Sequence, residues 1–191
     1  MLKYQIIVIG VSAGGTTVLK QLLPMFPADY PIPIVVIQHL HPTQENTLLV
    51  IFDELAPLKV KEADEKEPIQ SGHIYFAPPN YHLLIEDDHT LALSVDEKVN
   101  YARPSIDVLF ECAADVYRGQ VIGIVLTGAN NDGTEGLHAI KAQGGLCIAQ
   151  DPATAEVPYM PKSAIERTDI DHILSIEDIG HLLTNVDTWT L

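Results

Sequence analysis

The sequence predicts an α/β protein with a doubly wound, mainly parallel sheet of six to seven strands and one β-hairpin insertion. Three apolar runs carry the prediction: Ile6-Ile-Val-Ile9, Ile34-Val-Val-Ile37 and Val121-Ile-Gly-Ile-Val-Leu126. None alternates with polar residues, so each reads as a strand buried on both faces, as parallel strands are. Amphipathic helical patterns separate them, which is the order of right-handed strand–helix–strand units. Each run also ends in a turn-forming or polar residue, Gly10, Gln38-His39 or Thr127-Gly128.

The elements follow in order. The first strand stops at Gly10, and Val18, Leu19, Leu22 and Leu23 then recur on one helical face. A proline-rich loop from Pro27 to Pro33 leads to the strand Ile34–Gln38, which ends at His39. A helix pattern spans Thr47 to Leu55, and a short strand lies near Leu58 to Glu62. Charged residues punctuated by Pro and Gly make Ala63 to Gly72 a surface loop. His73 to Ala77 reads as a strand. Tyr81 to Glu86 and Thr90 to Ser94 flank Asp87-Asp88-His89 as a hairpin. Pro104 opens a helix through Ile106, Leu109, Phe110 and Ala113 that Gly119 closes. After the strand Val121–Leu126 comes a polar loop, Thr127 to Gly136, then a helix to about Gln143. Leu146 to Ala149 is a strand, Pro161 starts a short helix, and Asp171 to Leu174 is the last strand. Ser175-Ile-Glu-Asp178 forms a capping box for the final helix.

With 191 residues and no linker-like tract, one domain spanning 1–191 is expected. The net charge is −15, which argues against a nucleic-acid or anionic-membrane partner reached by neutralising phosphates. No apolar run approaches the roughly 18–20 residues of a membrane helix, and the N-terminus lacks a signal-peptide pattern. Cys112 and Cys147 read as buried apolar side chains. A reducing cytoplasm is the expected compartment.

The chemistry concentrates at three strand ends. Gly10-Val-Ser-Ala-Gly14 has the G-x-S-x-G spacing of a nucleophile elbow, a turn between strand and helix that exposes a serine. Ser12, His39 and Asp132 each follow a different strand's C-terminal end, where open α/β sheets place ligands. A serine hydroxyl needs a base, histidine titrates near working pH, and a carboxylate orients the imidazole. Each residue also has a plainer reading: Ser12 as a helix cap, His39 as a core histidine, Asp132 as a cap for the helix near Thr134. A nucleotide phosphate on the glycine run is a further alternative, but the middle glycine of G-x-G-x-x-G is missing. His82, opening a hairpin strand, is a candidate for lining the same cleft. His39 and His41 lack a nearby third ligand, so neither a metal nor another cofactor is expected.

Taken together, these residues resemble the catalytic domain of the CheB family of chemotaxis methylesterases, some members of which also deamidate receptor glutamines. The likeness runs along nearly the whole chain through Val8-Ile-Gly-Val-Ser-Ala-Gly-Gly15, Val35-Val-Ile-Gln-His39 and Tyr75-Phe-Ala-Pro-Pro-Asn-Tyr-His82. It continues through Arg103-Pro-Ser-Ile-Asp-Val-Leu-Phe110, Leu126-Thr-Gly-Ala-Asn-Asn-Asp-Gly133 and Gln150-Asp-Pro-Ala-Thr-Ala155 with Met160-Pro161. The resemblance implies Ser12 as nucleophile, His39 as base and Asp132 as the orienting acid, with backbone N–H groups near Ala13 and Ala129 meeting the oxyanion. It implies methylated chemoreceptor helices as substrate, and a separate receiver or methyltransferase protein as a further partner. A hydrolase of other small esters or amides and a non-catalytic regulatory module are the alternatives.

Three departures stand out. Ala13 replaces a threonine common in the family. Ala129-Asn130 replaces a large residue followed by glycine, which is expected to open the cleft wall. With the first strand starting near Gln5, no receiver domain is expected ahead of it.

Overall fold

A computed structural model describes residues 2–39 and 45–185. Seven strands form one parallel sheet: β1 (Ile6–Val11), β2 (Ile34–Gln38), β3 (Lys59–Glu62), β4 (His73–Phe76), β7 (Val121–Val125), β8 (Leu146–Gln150) and β9 (His172–Leu174). Their order across the sheet is β3-β4-β2-β1-β7-β8-β9, with every adjacent pair parallel. The remaining two strands, β5 (His82–Ile85) and β6 (Leu91–Ser94), make the expected antiparallel hairpin.

Every residue of β1, β2 and β7 is buried, as their unbroken apolar runs require. Pleating sends alternate side chains to opposite faces. Ile7, Ile9 and Val11 enter one core layer with α1 (Gly15–Leu22), α2 (Glu45–Leu55) and α6 (Ile176–Thr184). Ile6 and Val8 enter the other with α3 (Ile106–Tyr117), α4 (Thr134–Ala142), α5 (Tyr159–Arg167) and the hairpin's Leu83, Ile85 and Leu91.

Two glycines set how tightly that second layer closes. A Cβ on Gly10 would lie 2.3 Å from Ile106 Cγ2, and one on Gly136 would lie 2.4 Å from Phe110 Cβ. Helix α3 therefore rests directly on the backbone of β1 and of α4.

Most boundaries match the sequence reading, with small shifts. Helix α3 ends at Tyr117, ahead of Gly119, because Arg118 turns to φ 53°. Helix α5 begins at Tyr159, so Pro161 is its third residue and still in the first turn, where a missing N–H is tolerated. At α6, Ser175 Oγ accepts from Asp178 N at 3.1 Å, as a capping box should. No described helix is long and apolar enough to cross a membrane. Cys112 and Cys147 are free thiols, and burial pushes the Cys147 thiol up to about 12.

Sheet order fixes where a site can form. The chain leaves β1 through α1 on one face, and β7 through α4 on the other. The crevice between the two strand ends is thus a topological switch point. Ser12 follows β1, His39 follows the adjacent β2, and Asp132 lies in the loop after β7.

Candidate active site

Ser12 sits in a turn closed from both sides. Its amide donates to Thr127 O at 3.0 Å, and Gly15 N donates back to Ser12 O at 2.9 Å. Gly14 takes φ 80° and is itself the cap residue of α1, with no side-chain cap. Ser12 is therefore not the helix cap of the plainer reading. Gly128 comes so close that a Cβ there would meet Ser12 Cβ at 2.9 Å and Met160 Sδ at 2.7 Å. Thr127 staples the surroundings: its hydroxyl donates to Ala13 O at 2.9 Å and accepts from Val157 N at 2.9 Å.

His39 lies one residue beyond β2, with its amide bound to Val11 O at 3.0 Å. Its Nε2 is 3.0 Å from Asp132 Oδ2, and Asp132 is fully buried. The contact is close but lies off the line that a hydrogen bond prefers. On the other side of the ring, Nδ1 is 3.2 Å from Asn130 Nδ2, while Asn130 Oδ1 accepts from Asp132 N at 3.0 Å. Ser12, His39 and Asn130 line one cleft of about 500 Å³, together with Lys98, Asn100, Tyr101 and Arg103. Ala13 and Ala129 stand exposed beside it. It is Asn130 that lines the cleft. Gly128 N is engaged by Val157 O at 2.9 Å, which takes it out of contention as an oxyanion donor.

Asp132 is held by a network that single-residue reasoning missed. Its Oδ1 accepts from Ser105 Oγ at 2.8 Å, Asp107 N at 3.0 Å and Asn100 Nδ2 at 3.2 Å; Oδ2 accepts from Ile106 N at 2.7 Å. Asp132 thus caps α3, whereas the plainer reading had it capping α4, whose cap residue is Gly133 at φ 95°. Asp107, in the first turn of α3, returns the favour by accepting from Gly133 N at 2.9 Å and Gly136 N at 2.7 Å at the start of α4. The two helix N-termini are cross-capped by two buried carboxylates, each placed where a helix dipole favours negative charge.

The electrostatics follow. Burial alone would raise the Asp132 carboxyl, but the close His39 imidazole and the hydrogen bonds from the Ile106 and Asp107 amides more than offset it and hold it below the ordinary range. Asp107 goes the other way: burial, then the nearby Asp132 charge, push it up to about 6 against its two amide donors and Asn100. The pair is therefore one charge firmly kept and one reluctantly held.

His82 corrects an expectation. It is buried and does not line the cleft; Nε2 donates to Glu97 O at 2.9 Å and Nδ1 accepts from Ser105 N at 3.2 Å. It braces the segment that presents Ser105 to Asp132. His41 lies outside the described residues. Among the described residues, no three His, Cys, Asp or Glu side chains gather as a metal would need.

A doubly wound sheet with serine, histidine and buried aspartate gathered at its switch point defines a class, the α/β folds arranged as serine hydrolases are. Within that class the comparisons are specific. The sequence model described as CheB methylesterase matches residues 7–183, and the chain belongs to that family. It is 52% identical over 186 residues to a Leptospira interrogans protein, covering 97% of this chain and 96% of that one. That relative is provisionally assigned as a protein-glutamate methylesterase/protein-glutamine glutaminase. It is 38% identical over 173 residues to the Thermotoga maritima protein-glutamate methylesterase/protein-glutamine glutaminase, covering 89% of this chain but 50% of that protein. The crystal structure of the Thermotoga maritima CheB methylesterase catalytic domain superposes with a TM-score of 0.92 at 36% identity, over 96% of this chain and 98% of that one.

Proposed function

We propose that this chain is a serine hydrolase that removes methyl esters from glutamate side chains of chemoreceptor-like proteins. The reading rests above all on the His39 Nε2–Asp132 Oδ2 contact of 3.0 Å, made across a cleft that Ser12 shares. With Nε2 turned to the carboxylate, Nδ1 is the nitrogen that takes the Ser12 proton. Ser12 Oγ then attacks the ester carbonyl, and Asp132 stabilises the imidazolium that forms. The amides of Ala13 and Ala129 are the proposed donors to the tetrahedral oxyanion. Methanol departs with the proton from His39, and water, deprotonated by the same nitrogen, resolves the acyl-enzyme to a free glutamate.

Family membership, and relatives that carry both activities in their names, support the ester and admit the side-chain amide of glutamine as a second substrate. Lys98 and Arg103 put positive charge on the cleft of a chain whose net charge is −15, and so favour an acidic receptor helix over a neutral small ester. A separate receiver or methyltransferase protein is the further partner that the family suggests.

Methanol release from a methylated receptor fragment tests the proposal. Ser12→Ala is expected to lower turnover by about 10⁴-fold or more. Release at the unaltered rate overturns the nucleophile assignment. Hydrolysis of p-nitrophenyl acetate with no action on the receptor fragment favours the small-ester alternative, and failure of a serine-directed phosphonate to label Ser12 favours a non-catalytic module.

A further inference from the structure

Three hydrogen-bonding groups close a ring beside the cleft, and one of them can point only one way. Asp132 N–H is a backbone donor, so Asn130 must present its carbonyl oxygen to it, at 3.0 Å. The amide nitrogen of Asn130 is thereby turned toward His39 Nδ1, at 3.2 Å. An NH₂ group only donates, so Nδ1 must carry its lone pair and the ring proton must reside on Nε2, facing Asp132 Oδ2. The tautomer that a general base needs, which Asp132 favours from the Nε2 side, is thus enforced from the Nδ1 side by a residue at a position where the chain departs from the family pattern.

The same bond has a second consequence. Nδ1 has a single lone pair, and while Asn130 donates to it, Ser12 cannot. No hydrogen bond joins the Ser12 hydroxyl to the ring, although both line the same cleft. Nor is the Nε2–Asp132 contact straight. We infer that Asn130 is a positioning residue that sets the His39 tautomer and caps its basic nitrogen in the resting protein, so that the amide must swing aside before Ser12 can be activated. Asn130 is half-buried on the cleft wall, so a substrate entering the cleft meets it directly. The inference rests on His39 being the base.

Two substitutions give opposite rank orders for a cap and for a merely structural loop residue. Asn130→Gly removes the competing donor, and phosphonylation of Ser12 by a small probe is expected to speed up about five-fold, the worth of one neutral hydrogen bond. Asn130→Asp keeps the shape and the acceptor for Asp132 N–H, but presents an oxygen to Nδ1 and so demands a proton there. Labelling is expected to slow by about 10²-fold or more, the penalty of a wrong tautomer. A structural role predicts the reverse: aspartate close to the parent protein, glycine the slowest. That order overturns the inference. Nitrogen-15 spectra of the His39 ring decide independently of any activity. Nδ1 is expected to be unprotonated in the parent protein, to shift on Asn130→Gly and to gain a proton in Asn130→Asp. A protonated Nδ1 in the parent sinks the cap even if Ser12 is the nucleophile; no labelling in any variant, with the spectra as expected, sinks the nucleophile and spares the tautomer lock.

Discussion

Asp132 does two jobs with one carboxylate, and the division between its oxygens explains how. Oδ1 is saturated by Ser105, Asp107 and Asn100, whereas Oδ2 accepts from Ile106 N and faces His39 Nε2. Such a group keeps its charge because several donors replace the water it has lost. Replacing it with Asn130's chemistry, an amide, would put an NH₂ where an acceptor is needed. Asp132→Asn is therefore expected to lower turnover by about 10³–10⁴-fold, as in other triads whose acid becomes an amide. Circular dichroism should show the fold retained, since the amide oxygen can still accept from one α3 amide. Turnover within a factor of about two of the parent would remove Asp132 from the mechanism.

At the level of helices, the cross-cap between α3 and α4 couples stability to pH. Asp107 has a folded value of about 6 against an ordinary 3.8, so the folded chain binds its proton more tightly than the unfolded chain does. Its stabilising contribution is complete below about pH 4 and is lost as pH rises through about 6. Asp132 acts in the opposite sense. Its folded value lies below the ordinary one, so its contribution is present above the unfolded value and is lost as pH falls through the folded one. Asp107→Asn isolates the first effect. The stability of the parent protein relative to this variant should decline between about pH 4 and 6 in urea titrations. A difference that stays flat across that window would show that Asp107 is not raised. Helix α6 shows the simpler case: its capping serine was legible from four residues because the cap is local to its own helix.

Across the whole molecule, the net charge of −15 is spread over a compact α/β body and repels itself. Exposed pairs such as Lys59–Asp53 at 2.8 Å and Lys141–Asp171 at 2.6 Å offset little of this, since surface pairs contribute about 0–1 kcal/mol each. Screening is therefore expected to stabilise the fold. Raising NaCl from low to physiological ionic strength should lift Tm by roughly 2–4 °C, equivalent to about 1 kcal/mol for a chain of this size. A Tm that falls with salt would mean that the attractive pairs outweigh the net repulsion. The same global charge makes Lys98 and Arg103 at the cleft stand out, because they are the cations that an acidic helix would meet at Ser12.

Patterns of a few consecutive residues carried the architecture. Unbroken apolar strands, the glycine turn at Ser12 and the capping serine at Ser175 depend on neighbours along the chain, so the parallel sheet, its hairpin and the strand-end positions of Ser12, His39 and Asp132 could all be read in advance. What α3 does could not. Its N-terminus reaches Asp132 only because Gly10 and Gly136 let it settle onto β1 and α4, contacts between residues about a hundred or thirty positions apart. Ser105 and Asp107 belonged to a recognised motif, yet no spacing along the chain indicates that one binds the acid and the other repels it. The place of Asn130 on His39 Nδ1 and the retreat of His82 from the cleft are of the same kind, since which donor meets which lone pair is settled by packing.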